Sequence, residues 1–180
     1  MTRIALPAAD QTPAASLPLL AAVNKQLGVV PNLMKLVGNS PAALEGYLGL
    51  NAALGKGTLG AKTGERIALA VAELNRCSYC LSAHSYLASN LAKLDAAEID
   101  ANRHGKSSDP KAAAAVRFAA QVVGSRGHVS DAEVAAVKAA GYSNGEIVEI
   151  VLHVALNTLT NYVNEVAKTE IDFPVVKPFA

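Results

Sequence analysis

A chain of 180 residues is long enough for one compact domain with a full core and needs no disulfide scaffold to fold. A formal charge of +1 and an aromatic content of 4% provide neither the field nor the stacking platforms of a nucleic-acid groove. No apolar run reaches the roughly 18 residues of a membrane span, and MTRIALPAADQTP at the N-terminus lacks the apolar stretch of a secretory signal. A cytoplasmic protein is therefore expected, with neither nucleic acid nor membrane as partner.

About half of the residues are apolar yet Trp is absent, so the core must be built from Ala, Leu, Val and Ile, which favours closely packed helices. An all-α domain over 1–180 is expected. In chain order, helices are predicted over 16–27, 32–38, 41–55, 62–74, 77–91, 95–104, 110–125, 131–140 and 144–168. Ser40–Pro41 and Asp109–Pro110 each pair a cap with proline at the first helical position. Asp95 with Glu98, Ser130 with Glu133 and Ser143 with Glu146 have capping-box spacing, and Gly28, Gly105 and Gly141 stand where helices end in a left-handed residue.

Apolar stripes are predicted through Ile67, Val71 and Leu74, and through Ile147, Val151, Val154 and Leu159. The Gly-rich segment 55–64 has no strand before it and neither the Walker nor the dinucleotide spacing, so it reads as a flexible loop. The tail FPVVKPFA, 173–180, is held extended by Pro174 and Pro178, making 172–180 an arm. Its apolar side chains need cover, either on the chain's own body or across a neighbour; the expectation is an arm that clamps a homo-oligomer.

The two cysteines lie in NRCSYCLSAH, 75–84. On a helix, Cys77, Cys80 and His84 share one narrow face. A thiol is a weak nucleophile until ionised, and free amides at a helix N-terminus favour the thiolate. Asn75, a poor helix former, allows a break near Asn75 and Arg76 that would put Cys77 in the first turn of a new helix. The fold-back would return Glu65 toward Cys80 and His84 and leave Glu73 as a helix-end residue. Three readings of the sulfurs stand at this point: a redox dithiol, a zinc site of Cys77, Cys80, His84 and a carboxylate, or small buried side chains.

The run GERIALAVAELNRCSYCLSAH, 64–84, resembles the core motif of the alkylhydroperoxidase D-like proteins of the carboxymuconolactone decarboxylase superfamily. GVVPN at 28–32, NSP at 39–41 and the Asn-rich late helix resemble its peroxidase-related branch. The resemblance implies an all-helical fold that assembles as homo-oligomers, often trimers or hexamers; no cofactor and no metal are expected. It implies a peroxidase in which Cys80 attacks a hydroperoxide, Cys77 resolves the sulfenic acid as a disulfide, and His84 with Glu65 relays protons, an external dithiol or thiol-redox protein restoring the pair. Tyr79 departs from the pattern, since the best-known members have His between the cysteines and a phenol is a poor base near neutrality. A lactone decarboxylase and a redox-sensing or zinc-stabilised binding module are the alternatives.

A further polar ladder, His153, Asn157, Asn161 and Glu165, recurs every four residues on the last helix. Buried amides need partners, so interhelical hydrogen bonding is expected of it, and lining of the thiol pocket is the other reading. His104 and His128 read as helix-end or loop residues.

Overall fold

The computed structural model describes residues 2–180, and among them there is no strand. A short 3-10 turn at Ala14–Ser16 leads into nine helices: α1 Leu17–Leu27, α2 Asn32–Val37, α3 Pro41–Leu54, α4 Gly60–Leu74, α5 Ser78–Asn90, α6 Ala96–Arg103, α7 Pro110–Ser125, α8 Asp131–Ala139 and α9 Asn144–Ala167. Side-chain caps from Ser40, Asp95, Asp109, Ser130 and Ser143 start five of them, and Gly28, Gly105 and Gly141 have the expected positive φ.

Helix α4 is the axis of the molecule, packed by α5, α6, α7 and α9. Its six consecutive residues Ile67–Ala72 are all buried. Alanines at 68, 70 and 72 keep this helix thin, so neighbours can close on it from several sides, as a helix apolar all round requires. On one side Ile67 and Val71 meet Phe118, Val122, Val137, Tyr142, Ile150 and Val154. On another, Ala72 joins Val23, Leu33, Met34, Leu44 and Leu81 in a cluster that contains both cysteines.

Several sequence expectations are corrected. The 55–64 segment is not a flexible loop: α4 begins at Gly60, and the Glu149 carboxylate accepts hydrogen bonds from the Thr58 and Leu59 amides and the Thr58 hydroxyl. Asp95 caps α6, but Glu98 does not reach back to it; its carboxylate turns inward to Arg66, Asn102, Ser107 and Ser108. That buried network fixes the α6–α7 connection to α4, and it outweighs one exposed capping bond. Leu74, Val151 and Leu159 are exposed, so both stripes are out of phase at these positions. The buried face of α9 instead runs through Ile150, Val154, Asn157, Asn161 and Asn164.

The extended tail lies on its own chain. Phe173 packs edge-on against Tyr79, Ser82 Oγ accepts from the Val176 amide, Glu73 accepts from the Phe179 amide, and the Phe179 ring stacks on His104 under the Arg103 guanidinium. Phe173 and Phe179 thus pack on the chain's own body, and Val175 stays exposed.

Candidate active site

The break before the sulfurs is a Schellman turn. The Arg76 amide donates to the Glu73 carbonyl at 3.0 Å and the Cys77 amide to the Ala72 carbonyl at 3.0 Å, closing α4 with Arg76 left-handed at φ 54. A non-glycine residue there costs about 1 kcal/mol, which the two satisfied carbonyls offset. Asn75 therefore ends α4 and does not begin α5. Cys77 is also displaced from expectation: it is not in the first helical turn but is the extended N-cap of α5, where its sulfur accepts from the Cys80 amide at 3.3 Å. A thiol occupies the place where a Ser or Asp oxygen ordinarily caps.

This cap points Cys77 at Cys80, which stands at the third helical position; both are unbridged and buried. The hydrogen bond donated by the Cys77 thiol is the largest influence on Cys80, and it lowers the Cys80 pKa to about 7 against the opposing effect of burial. The charge of His84 and the amides of Asn164 and Asn161 lower it further. Cys77 is pushed above the ordinary thiol range, first by that same hydrogen bond and then by burial and the adjacent Cys80 charge. One thiol is held as the donor so that the other can be the thiolate.

His84 lies one helical turn beyond Cys80. Its Nδ1 meets Glu65 Oε2 at 2.9 Å, so the fold-back of α5 on α4 brings Glu65 to the imidazole as expected. Burial alone would lower the His84 pKa, but the charge and hydrogen bond of Glu65, with contributions from Cys80 and Asn157, raise it. The arrangement sets a thiol biased toward its thiolate beside an imidazole biased toward its protonated form, which Glu65 orients. The two relay side chains keep about one-fifth of their surface exposed, so protons can exchange with solvent.

The α9 ladder lines this centre. Asn164 Nδ2 donates to Cys80 Sγ at 3.2 Å, Asn161 also favours the Cys80 thiolate, and Asn157 favours protonated His84. The expected interhelical hydrogen bonding is made by Asn161, whose Oδ1 accepts from Asn75 across the turn at 2.9 Å. Four residues advance a helix by about 400°, so a strict fourfold ladder drifts by about 40° per step. By Glu165 the drift is about 120°, and that carboxylate faces outward to Lys168 at 2.6 Å while Asn164 takes the inward position. Asn164 was missed for this reason.

Tyr47 was also missed. It packs from α3 against the cluster that holds both cysteines, and its hydroxyl is pushed up to about 12 by burial and by the charges of Cys80 and Glu65. Only long-range packing puts it there; nothing local in the sequence marks it.

Of the remaining candidates, Tyr79 is a strut. Its hydroxyl donates to Asp172 Oδ1 at 2.8 Å and accepts from the Leu33 amide at 3.0 Å, tying α2 and the tail to α5. Glu73 is the expected helix-end residue, paired with Arg103 at 2.7 Å and away from the thiols. His153 sits over Gly64, where an added Cβ would stand 3.0 Å from its Cε1; burial lowers its pKa while Glu149 and Glu65 act in the other direction. Among the described residues no three His, Cys, Asp or Glu side chains are grouped to hold a metal ion.

The all-helical fold, with a Cys-x-x-Cys pair at a helix start, matches the alkylhydroperoxidase D-like fold. Residues 41–122 match the model of the Carboxymuconolactone decarboxylase family. No curated protein matches the chain. It is similar in fold to an uncharacterized peroxidase-related protein from Silicibacter sp. TM1040, at 23% identity over 94% of this chain and 91% of that one with a TM-score of 0.82. It is similar also to the alkylhydroperoxidase AhpD core of an uncharacterized peroxidase-related protein from Ralstonia eutropha JMP134, at 22% identity over 95% and 92% with a TM-score of 0.85. The debrominase Bmp8 shares the fold at 19% identity over 96% and 93% with a TM-score of 0.78, and a Cys→Ala variant of it has been solved with 2,3,4-tribromopyrrole.

Proposed function

We propose that the chain is a thiol-dependent hydroperoxide reductase. The observation that carries this reading is Cys80, held between the Cys77 donor and the Asn164 amide, with His84 bound to Glu65 one turn away. The Cys80 thiolate attacks the distal oxygen of ROOH; the O–O bond breaks, Cys80 becomes a sulfenic acid and the alkoxide takes a proton from His84 to leave as ROH. The Cys77 thiol then displaces water from the sulfenic acid to form the Cys77–Cys80 disulfide. An external dithiol or thiol-redox protein supplies two electrons and two protons to reopen it.

The work is assigned to the cytoplasm; among the described residues no helix is long and apolar enough to cross a membrane. A homo-oligomer, trimer or hexamer, is supported by the second apolar face of α9, where Val148, Val151, Leu159, Tyr162 and Val166 are exposed. The test is thiol counting after one equivalent of cumene hydroperoxide, expected to consume both thiols and give an intramolecular disulfide. The same protein is offered 2,3,4-tribromopyrrole and a lactone substrate. Bromide release with no peroxide consumption, or decarboxylation surviving a double Cys→Ser change, would replace the peroxidase reading.

A further inference from the structure

A cleft of about 460 Å³ opens beside the N-terminus of α5, on the Cys77 side of the dithiol, and no step above uses it. Its wall includes Arg76, Ser78, Asn164, Glu165, Lys168 and Thr169. Two buried polar atoms there have no partner, Asn164 Oδ1 and Thr169 Oγ1, in side chains 2% and 8% exposed. Leaving such groups unmet costs about 1–3 kcal/mol each, and both residues belong to the cleft wall. Arg76 is in none of the ion pairs among the described residues, whereas Lys168 is already engaged by Glu165. The Ser78 and Tyr79 amides open α5 at the same wall without an acceptor among the described residues, adding a partial positive charge.

The cleft touches the chemistry at two points. The Glu165 charge acts on the Cys77 thiol, and Asn164, which lines the cleft, holds Cys80 through its nitrogen. His84 acts on Cys80 instead. Volume and polarity suit a ligand of a few linked residues. A carboxylate would meet Arg76 and the α5 amides, a peptide N–H would meet Asn164 Oδ1, and the Thr169 hydroxyl can donate or accept.

Building on the peroxidase reading, we propose that this cleft is the reductant subsite and that it receives a small peptide thiol bearing a free carboxylate. The first thiolate attacks Cys77 Sγ; the Cys77–Cys80 bond breaks, a mixed disulfide forms on Cys77, and Cys80 departs as the thiolate. A second thiolate attacks the ligand sulfur of that mixed disulfide, releasing Cys77, which takes up a proton. The sum is two thiols oxidised to one disulfide and the protein dithiol restored. Cys77 is buried, and Arg76 and Ser78, its two neighbours in sequence, both line the cleft.

The test starts from protein oxidised with diamide, so that it does not depend on peroxide chemistry, and follows disulfide reduction by quenched alkylation. Glutathione should show a saturating rate and 2-mercaptoethanol a linear one. Arg76→Gln and Thr169→Val should each lower the glutathione to 2-mercaptoethanol rate ratio by about tenfold. Glutathione esterified at its glycine should behave on the wild type as glutathione does on Arg76→Gln. A linear glutathione rate, or a ratio unmoved by both substitutions, overturns the subsite. Saturation and selectivity in protein that ignores hydroperoxide would leave the subsite standing and refute the peroxidase reading.

Discussion

Replacing Cys77 with alanine removes the hydrogen bond with the largest effect on Cys80 and the sulfur that accepts the Cys80 amide at 3.3 Å. In the wild type Cys80 titrates at about 7, so about half is thiolate at pH 7. With the Cys77 donor gone, burial is opposed only by His84 and the two asparagines, and the midpoint should rise by about two units, leaving about 1% ionised at pH 7. A more basic thiolate is also a better nucleophile: a Brønsted slope of about 0.45 over two units returns roughly eightfold of the fiftyfold deficit. Cys77→Ala should therefore react with 4,4′-dithiodipyridine about sixfold more slowly at pH 7, and faster than the wild type near pH 10. Only one thiol remains in this variant, so absorbance at about 240 nm reports its ionisation directly. Cys77→Ser, which restores both a donor and a cap, should bring the midpoint back to within about one unit of the wild type. A Cys77→Ala midpoint that stayed near the wild-type value would refute the reasoning.

Burial alone would raise the Glu98 pKa, but hydrogen bonds from Ser107, Ser108 and Asn102 hold it well below the carboxylate range. A depressed folded pKa stabilises above the unfolded value near 4.3 and ceases to do so as pH falls through the folded value, so Glu98→Gln should cost about 3 kcal/mol at pH 7 in urea melts. That gap should narrow below about pH 4, and a gap independent of pH would contradict the assignment. Tyr79→Phe leaves the Leu33 amide and Asp172 without their bridge and should cost about 1–3 kcal/mol in thermal unfolding; an unchanged melting temperature would remove the strut. His84→Ala should raise the Cys80 midpoint and lower single-turnover hydroperoxide reduction by about a hundredfold or more, with both effects read from one pH series.

Where a feature was written in local residues, it was legible. Ser143 and Glu146 close the expected box, Gly141 takes its left-handed turn, and Asn75–Arg76 breaks the chain before the sulfurs. Glu65 returned to His84 because two antiparallel helices joined by a tight turn leave little choice of partner. What failed depended on distant partners. Glu98 has the spacing of a box residue, but Arg66, Ser107 and Ser108 compete for it. The phase of α9 was misjudged because two of its faces carry apolar side chains, and only the packing on α4 tells them apart. Tyr47 was placed by tertiary contacts that no periodicity encodes.

The most direct measurement is steady-state consumption of cumene hydroperoxide, with a dithiol donor in excess, by the wild type and Cys80→Ser. Turnover in the wild type, its absence in Cys80→Ser, and one dithiol oxidised for each hydroperoxide reduced are the expected results. Turnover persisting in Cys80→Ser, or hydroperoxide left untouched by the wild type, would contradict a peroxidase built on the Cys80 thiolate.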